Sequence, residues 1–105
     1  MSGDTWVRID IYRPRTAGDQ AALAQMKKTI TAFLNGLERN RQPGFQIGYW
    51  GRNEGEGTMA AVTYWSDHAS IDGAAGPLQR LTADAGVHGL REVDSRNVHL
   101  FSLAR

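Results

Sequence analysis

The stretch Trp6-Val7-Arg8-Ile9-Asp10-Ile11-Tyr12 alternates at every position, and it constrains the fold more than any other feature of the chain. In an extended strand Val7, Ile9 and Ile11 share one face, and Trp6, Arg8, Asp10 and Tyr12 share the other. The first face is wholly aliphatic. The second is too aromatic to be left in solvent and too charged for a dry core. A sheet built around this strand needs cover on both sides.

Three more segments read as strands: Phe45 to Trp50, Thr58 to Trp65, and Val93 to Leu103. The glycine-rich RNEGEG between the second and third predicts a hairpin. Between the first and second, Asp19 to Glu38 places Leu23, Met26, Ile30, Phe33, Leu34 and Leu37 three and four residues apart, the period of an amphipathic helix that Gly18 or Asp19 begins. After Trp65, Ser66 or Asp67 can cap a second helical region running to Ala85. Gly73, Gly76 and Pro77 divide it into a short helix, a kink, and a further turn or two carrying Leu78 and Leu81. The order is βαββαβ. It predicts an α+β, ferredoxin-like domain spanning residues 1–105, with a four-stranded antiparallel sheet and helices on one face.

Two helices roof one side of such a sheet. Val7, Ile9 and Ile11, with Val98 and Leu100, are expected beneath them. Trp6, Tyr12, Phe101 and Leu103, with Arg8, Asp10 and His99, are expected on the open side, where a second copy packing sheet against sheet would bury the aromatics. A homodimer is the expectation, with a monomer carrying an amphipathic sheet as the alternative. The 105 residues leave little surplus core to tolerate an uncovered sheet face.

Charge and composition narrow the partners. Twelve basic and eleven acidic residues give a net charge of +1, which argues against nucleic acid. The absence of cysteine removes disulfides, thiolate nucleophiles and thiolate-bound metal. No run approaches the roughly 20 apolar residues that cross a bilayer, and the first residues do not read as a leader, so a cytoplasmic protein without a membrane partner is expected.

The succession of a first strand, an amphipathic helix, Pro43-Gly44-Phe45 entering a strand, a glycine-containing hairpin, and a third strand closing on Trp65-Ser66-Asp67 resembles the antibiotic-biosynthesis-monooxygenase-like family of the dimeric α/β barrels. The resemblance runs from about Val7 to Leu103. It implies a homodimer whose sheets form a joint barrel, a pocket between sheet and helices, and chemistry on a small aromatic or polyketide-type substrate. Members include oxygenases that need neither metal nor flavin, haem-degrading enzymes, polyketide cyclases and lactone isomerases. By resemblance to the oxygenases, Trp65 lines the pocket, but the asparagine expected four residues earlier is Ala61 here. The haem-degrading set is also incomplete, with Gly76-Pro77 in place of its histidine region and no asparagine between Trp6 and Tyr12.

The function expected is that of a cofactor-independent monooxygenase-like protein. The alternatives are a non-catalytic ligand-binding or structural dimer, and a cyclase or isomerase. Such an oxygenase needs an apolar slot, one base to remove a phenolic proton, and exclusion of water. Trp65, Trp50 and Phe33 are candidate walls, and Ala61 and Thr63 are small residues on the side of Trp65 that would leave space. For Trp65, simple core packing is the competing role. His68, which follows the strand end, is the candidate catalytic base, against a plain exposed helix-start role. His99 is read as structural and His88 as solvated. No cofactor is expected, and no metal: His68 and Asp72 have i, i+4 spacing but lack a third ligand. GRNEGEG lacks the lysine and strand-to-helix context of a phosphate loop, and Arg39, Arg41 and Arg52 read as solvated surface.

Overall fold

The computed structural model describes residues 5–100. Strand β1 (Thr5–Pro14) leads to helix α1 (Gln20–Arg39), the hairpin strands β2 (Phe45–Asn53) and β3 (Thr58–Trp65), helices α2 (His68–Gly73) and α3 (Ala75–Val87), and strand β4 (Leu90–Leu100). The strands form one antiparallel sheet in the order β2-β3-β1-β4, with β1 and β3 central. This is the ferredoxin-like arrangement that the sequence predicts. Phe101 and Leu103, assigned above to the fourth strand, lie outside the described residues.

Local chemistry explains the helix boundaries. Asp19 caps α1, its carboxylate accepting from the Ala22 N–H at 3.0 Å, and Asp67 caps α2 by accepting from the Ser70 N–H at 2.8 Å. Those hydrogen bonds from Ser70 hold the Asp67 carboxyl below its ordinary range. α3 is longer than the turn or two expected, because Gly76 and Pro77 fall in its first turn. There the missing proline N–H has no intrahelical acceptor to lose. The chain folds back to begin β4 at Leu90, three residues before the expected start.

The structure reverses the two faces of the sheet. Trp6, Arg8, Asp10 and Tyr12 lie opposite Trp65, Thr63, Ala61 and Met59 on β3, and this set faces the helices. Tyr12, Met59 and Ala61 pack with Met26 and Ile30 of α1 and with Leu81 and Ala85 of α3, while Trp65 packs with Leu37, Ile71, Ala74 and Leu78. Charge did not exclude this face from the interior because its charged members pair with each other. The aliphatic set expected beneath the helices is on the open side: Val7, Ile9 and Ile11 with Val62, Tyr64, Val98 and Leu100. Ile47, Tyr49, Val98 and Leu100 are all exposed there.

Two irregularities set which side chains point where. Between Phe45 and Ile47 the β2–β3 register slips by one residue, so Phe45 turns under the helices against Trp65 while Ile47 and Tyr49 turn outward. Between Ile11 and Tyr12 the β1–β4 register slips likewise, so Glu92 and Asn97, five residues apart, both lie on the helix side.

Gly44 closes the passage from α1 to β2. Its φ is +76°, and a Cβ there would lie 2.0 Å from the Ser70 hydroxyl, which is itself held by Asp67. Gly36, inside α1, has open space where a Cβ would stand. Gly44→Ala is therefore expected to cost about 2 kcal/mol or more, and Gly36→Ala to raise stability by about 0.5–1 kcal/mol, in denaturant unfolding. Similar effects of the two substitutions would contradict this geometry.

Candidate functional site

The cleft that gathers chemistry lies between the β1–β4 half of the sheet and helices α2 and α3. Its volume is about 380 Å³, and its walls include Arg8, Asp72, Leu78, Thr82, Glu92 and Asn97. Strand alternation supplies Arg8, the β4 register slip supplies both Glu92 and Asn97, and the C-terminal end of α2 supplies Asp72.

Arg8 and Asp10, two apart on β1, point the same way. The guanidinium donates from Nε and Nη2 to Asp10 Oδ1 at 3.0 and 2.9 Å, and Asp10 is 2 % exposed. Burial of the carboxylate outweighs the opposing hydrogen bond and charge of Arg8, and holds the Asp10 carboxyl above its ordinary value. The ion pair is thus a costly interior feature that fixes the direction of the guanidinium.

From Arg8 a polar chain runs to the rim. Arg8 Nη1 lies 3.4 Å from Asn97 Oδ1, Asn97 Nδ2 lies 3.5 Å from His68 Nε2, and His68 Nδ1 lies 3.3 Å from Asp72 Oδ2. Arginine can only donate, so the Asn97 oxygen accepts and its NH₂ points at His68. Asp72 accepts the proton on Nδ1, which leaves Nε2 as the lone-pair nitrogen. These contacts are long, but they agree on one tautomer: a histidine with its basic nitrogen toward the cleft side and its other nitrogen on a carboxylate. Trp6 packs edge-on to His68 at 4.8 Å between ring centroids and stacks on His99 at 4.5 Å.

The other expected site residues do not gather around His68. Trp65 is fully buried in the core, and its indole N–H donates to Thr63 Oγ1 at 2.8 Å. Ala61 and Thr63 are buried with it, and none of the three lines any of the three clefts described here. Trp50 borders a separate cleft of about 830 Å³ between α1 and β2, with the Lys27 ammonium 4.9 Å from its ring centroid. Phe33 lines a third cleft, of about 590 Å³, between α1 and α3. Sequence reasoning missed Arg8, Asn97, Thr82 and Glu92. Arg8 carried a usable signal, a charge alternating in step with Trp6 and Tyr12; Glu92 and Asn97 carried none, because the register slip is invisible in composition.

Among the described residues, no three His, Asp or Glu side chains converge as a metal site, and no helix is long and apolar enough to cross a membrane.

No family model and no curated protein matches the sequence. Solved structures do resemble the fold. Rv0793 from Mycobacterium tuberculosis is 12% identical, with a TM-score of 0.65 over 96% of this chain and 97% of that one. SnoaB from Streptomyces nogalater, described as a cofactor-independent oxygenase, is 19% identical, with a TM-score of 0.59 over 97% and 96%. A Caulobacter crescentus protein provisionally named an antibiotic biosynthesis monooxygenase is 14% identical, with a TM-score of 0.67 over 98% and 92%.

Asp10 permits a test of the interior charge. A carboxyl whose folded pKa is raised binds its proton more tightly in the native state than in the unfolded one, so it lowers stability as pH rises through the window above the unfolded value of about 3.9. Asp10→Asn cannot titrate. The stability of the native sequence minus that of Asp10→Asn is expected to fall as pH rises from about 4 towards neutrality, read by thermal melts across that range; a rise would show that Arg8 dominates instead.

The identities are too low to carry function, but the architecture agrees throughout: this chain has the fold of the antibiotic-biosynthesis-monooxygenase-like proteins.

Proposed function

We propose that the protein is a cofactor-independent monooxygenase-like enzyme acting on a small polycyclic aromatic or polyketide-type molecule in the cleft beside His68. The observation that carries this reading is the orientation of His68, fixed by Asp72 on one nitrogen and by Asn97 on the other, at the rim of a cleft between sheet and helices. The fold shared with a protein described as a cofactor-independent oxygenase supports it.

The chemistry needs one proton transfer and a shielded anion. His68 Nε2 takes the acidic proton of a hydroxy-anthrone, and Asp72 stabilises the imidazolium that forms. The electron-rich carbanion then reduces dioxygen. One oxygen atom enters the ring carbon as a carbonyl and the other leaves as water, so CH₂ and O₂ become C=O and H₂O. Leu78 and Ile71 provide apolar wall, and Arg8, its charge balanced by Asp10, orients Asn97 through Nη1. Neither Trp65 nor Ala61 is required for these roles.

A homodimer belongs to the same reading. The open face, with Ile47, Tyr49, Val98 and Leu100 exposed beside Ile9 and Val62, and with the Arg96–Asp94 ion pair on its β4 side, is a largely apolar surface of the kind that a second copy covers.

The burial of Ala61, where the oxygenases of this fold were expected to place an asparagine, favours a second reading: proton abstraction by His68 without oxygen, as in a cyclase or isomerase. Oxygen uptake with a hydroxylated anthrone under air, without added metal or flavin, separates the two. His68→Gln is expected to lower turnover about a hundredfold or more. Conversion that is equal with and without oxygen would support the second reading, and turnover unchanged in His68→Gln would remove the histidine from the mechanism.

A further inference from the structure

The cleft wall carries an ionisable group, Glu92, that the proton transfer does not use. Thr82 Oγ1 lies 2.7 Å from Glu92 Oε2, and Tyr12 Oη lies 3.1 Å from Thr82 Oγ1. A carboxylate only accepts, so Thr82 gives its one proton to Glu92 and must accept from Tyr12. Burial pushes the Tyr12 phenol well above its usual value, so it stays a donor at every working pH. The chain therefore runs one way, from the core into the cleft, and it ends on an acceptor in the cleft wall.

The charges around that end do not balance. Arg8 is the one cation among the described lining residues, and Nε and Nη2 of its guanidinium are already committed to Asp10 beside it on β1. With that pair neutral, β4 adds Glu92 and α2 adds Asp72, which is turned to His68 at the rim. α3 contributes Gln79 and Thr82, neither charged, while its Arg80 belongs to the cleft facing α1. Glu92 is left with no ion-pair partner of its own among the described lining residues, and with acceptor capacity facing the ligand space.

We infer that Glu92 determines the specificity of this cleft: it receives an uncharged, hydrogen-bond-donating end of the ligand, such as a ring hydroxyl, and rejects a carboxylate or sulfonate placed there. The substrate class is then a neutral aromatic with hydroxyls at both ends, one presented to His68 and one to Glu92. This rests on the reading of the cleft as the ligand site, but not on oxygen chemistry. Thr82 and Tyr12 act as positioning residues that hold the carboxylate in place.

The probes are 1,5-dihydroxynaphthalene and 5-hydroxynaphthalene-1-sulfonate, which differ by a permanent anion at one end; binding is measured by calorimetry on the full chain. The native protein is expected to favour the diol by about tenfold or more, since one unscreened like charge at close range exceeds that threshold. Glu92→Gln, which keeps an acceptor for Thr82, should bring the two ligands within about threefold. Tyr12→Phe should weaken both ligands and leave their ratio unchanged, whereas loss of the preference in Tyr12→Phe would mark a structural effect and overturn the assignment. So would the absence of a preference in the native protein, or its persistence in Glu92→Gln.

Should Glu92→Gln fail to fold, Glu92→Ala, which removes the charge and leaves no polar group to bury, is measured with the same two probes. The ratio should narrow; a constant ratio overturns the inference. A preference without turnover leaves Glu92 in its role and removes the oxygenase reading. Binding of neither probe overturns both.

Discussion

The pairing of Arg8 with Asp10 on one strand is the interaction from which the rest of the architecture follows. Two opposite charges at i and i+2 project to the same side of β1, and in direct contact two nitrogens of the guanidinium donate to the Asp10 carboxylate. That allows the charged face of the strand to turn under the helices, at a desolvation cost that the neighbouring aromatic burial offsets. Once that face is inside, the aliphatic face of the same strand must be outside. A polar cleft between sheet and helices and an apolar surface on the far side are two consequences of one choice.

How much of this the sequence disclosed depends on the physics of each element. The four strands, α1 and their order were legible because alternation and the 3.6-residue period are local properties of the side chains. That the helices roof one face of the sheet was legible as well, from the order of the elements. Which face meets the helices was not. Hydrophobicity favoured Val7, Ile9 and Ile11, but the outcome turned on long-range register with Met59, Ala61 and Trp65 and on the mutual pairing of Arg8 and Asp10, neither of which a pattern along one segment displays.

The site divides in the same way. His68 was recognisable as a histidine at a strand-to-helix junction, and Asp72 as its i, i+4 neighbour, although at the level of sequence that pair was weighed only as metal ligands, rejected for want of a third, and not seen as a carboxylate orienting an imidazole. Asn97 and Glu92 reach the cleft only because β4 loses register by one residue beside Ile11, which moves two residues of opposite parity to one side. Trp65 illustrates the converse. Its position at the end of β3 marked it as a pocket wall by resemblance, yet a large side chain there fills the space between α1, α2 and α3, with its one polar atom bonded to Thr63.

The claim on which the account stands is that the outward aliphatic face belongs against a second copy of the chain. Sedimentation equilibrium on the full chain and on the double variant Tyr49→Lys with Val98→Lys tests it most directly, because both side chains are exposed on that face and neither supports the core beneath the helices. The account predicts twice the chain mass for the native sequence at micromolar concentration and a single chain mass for the variant. A native protein that sediments as one chain at every concentration, or a variant that remains paired, would contradict it.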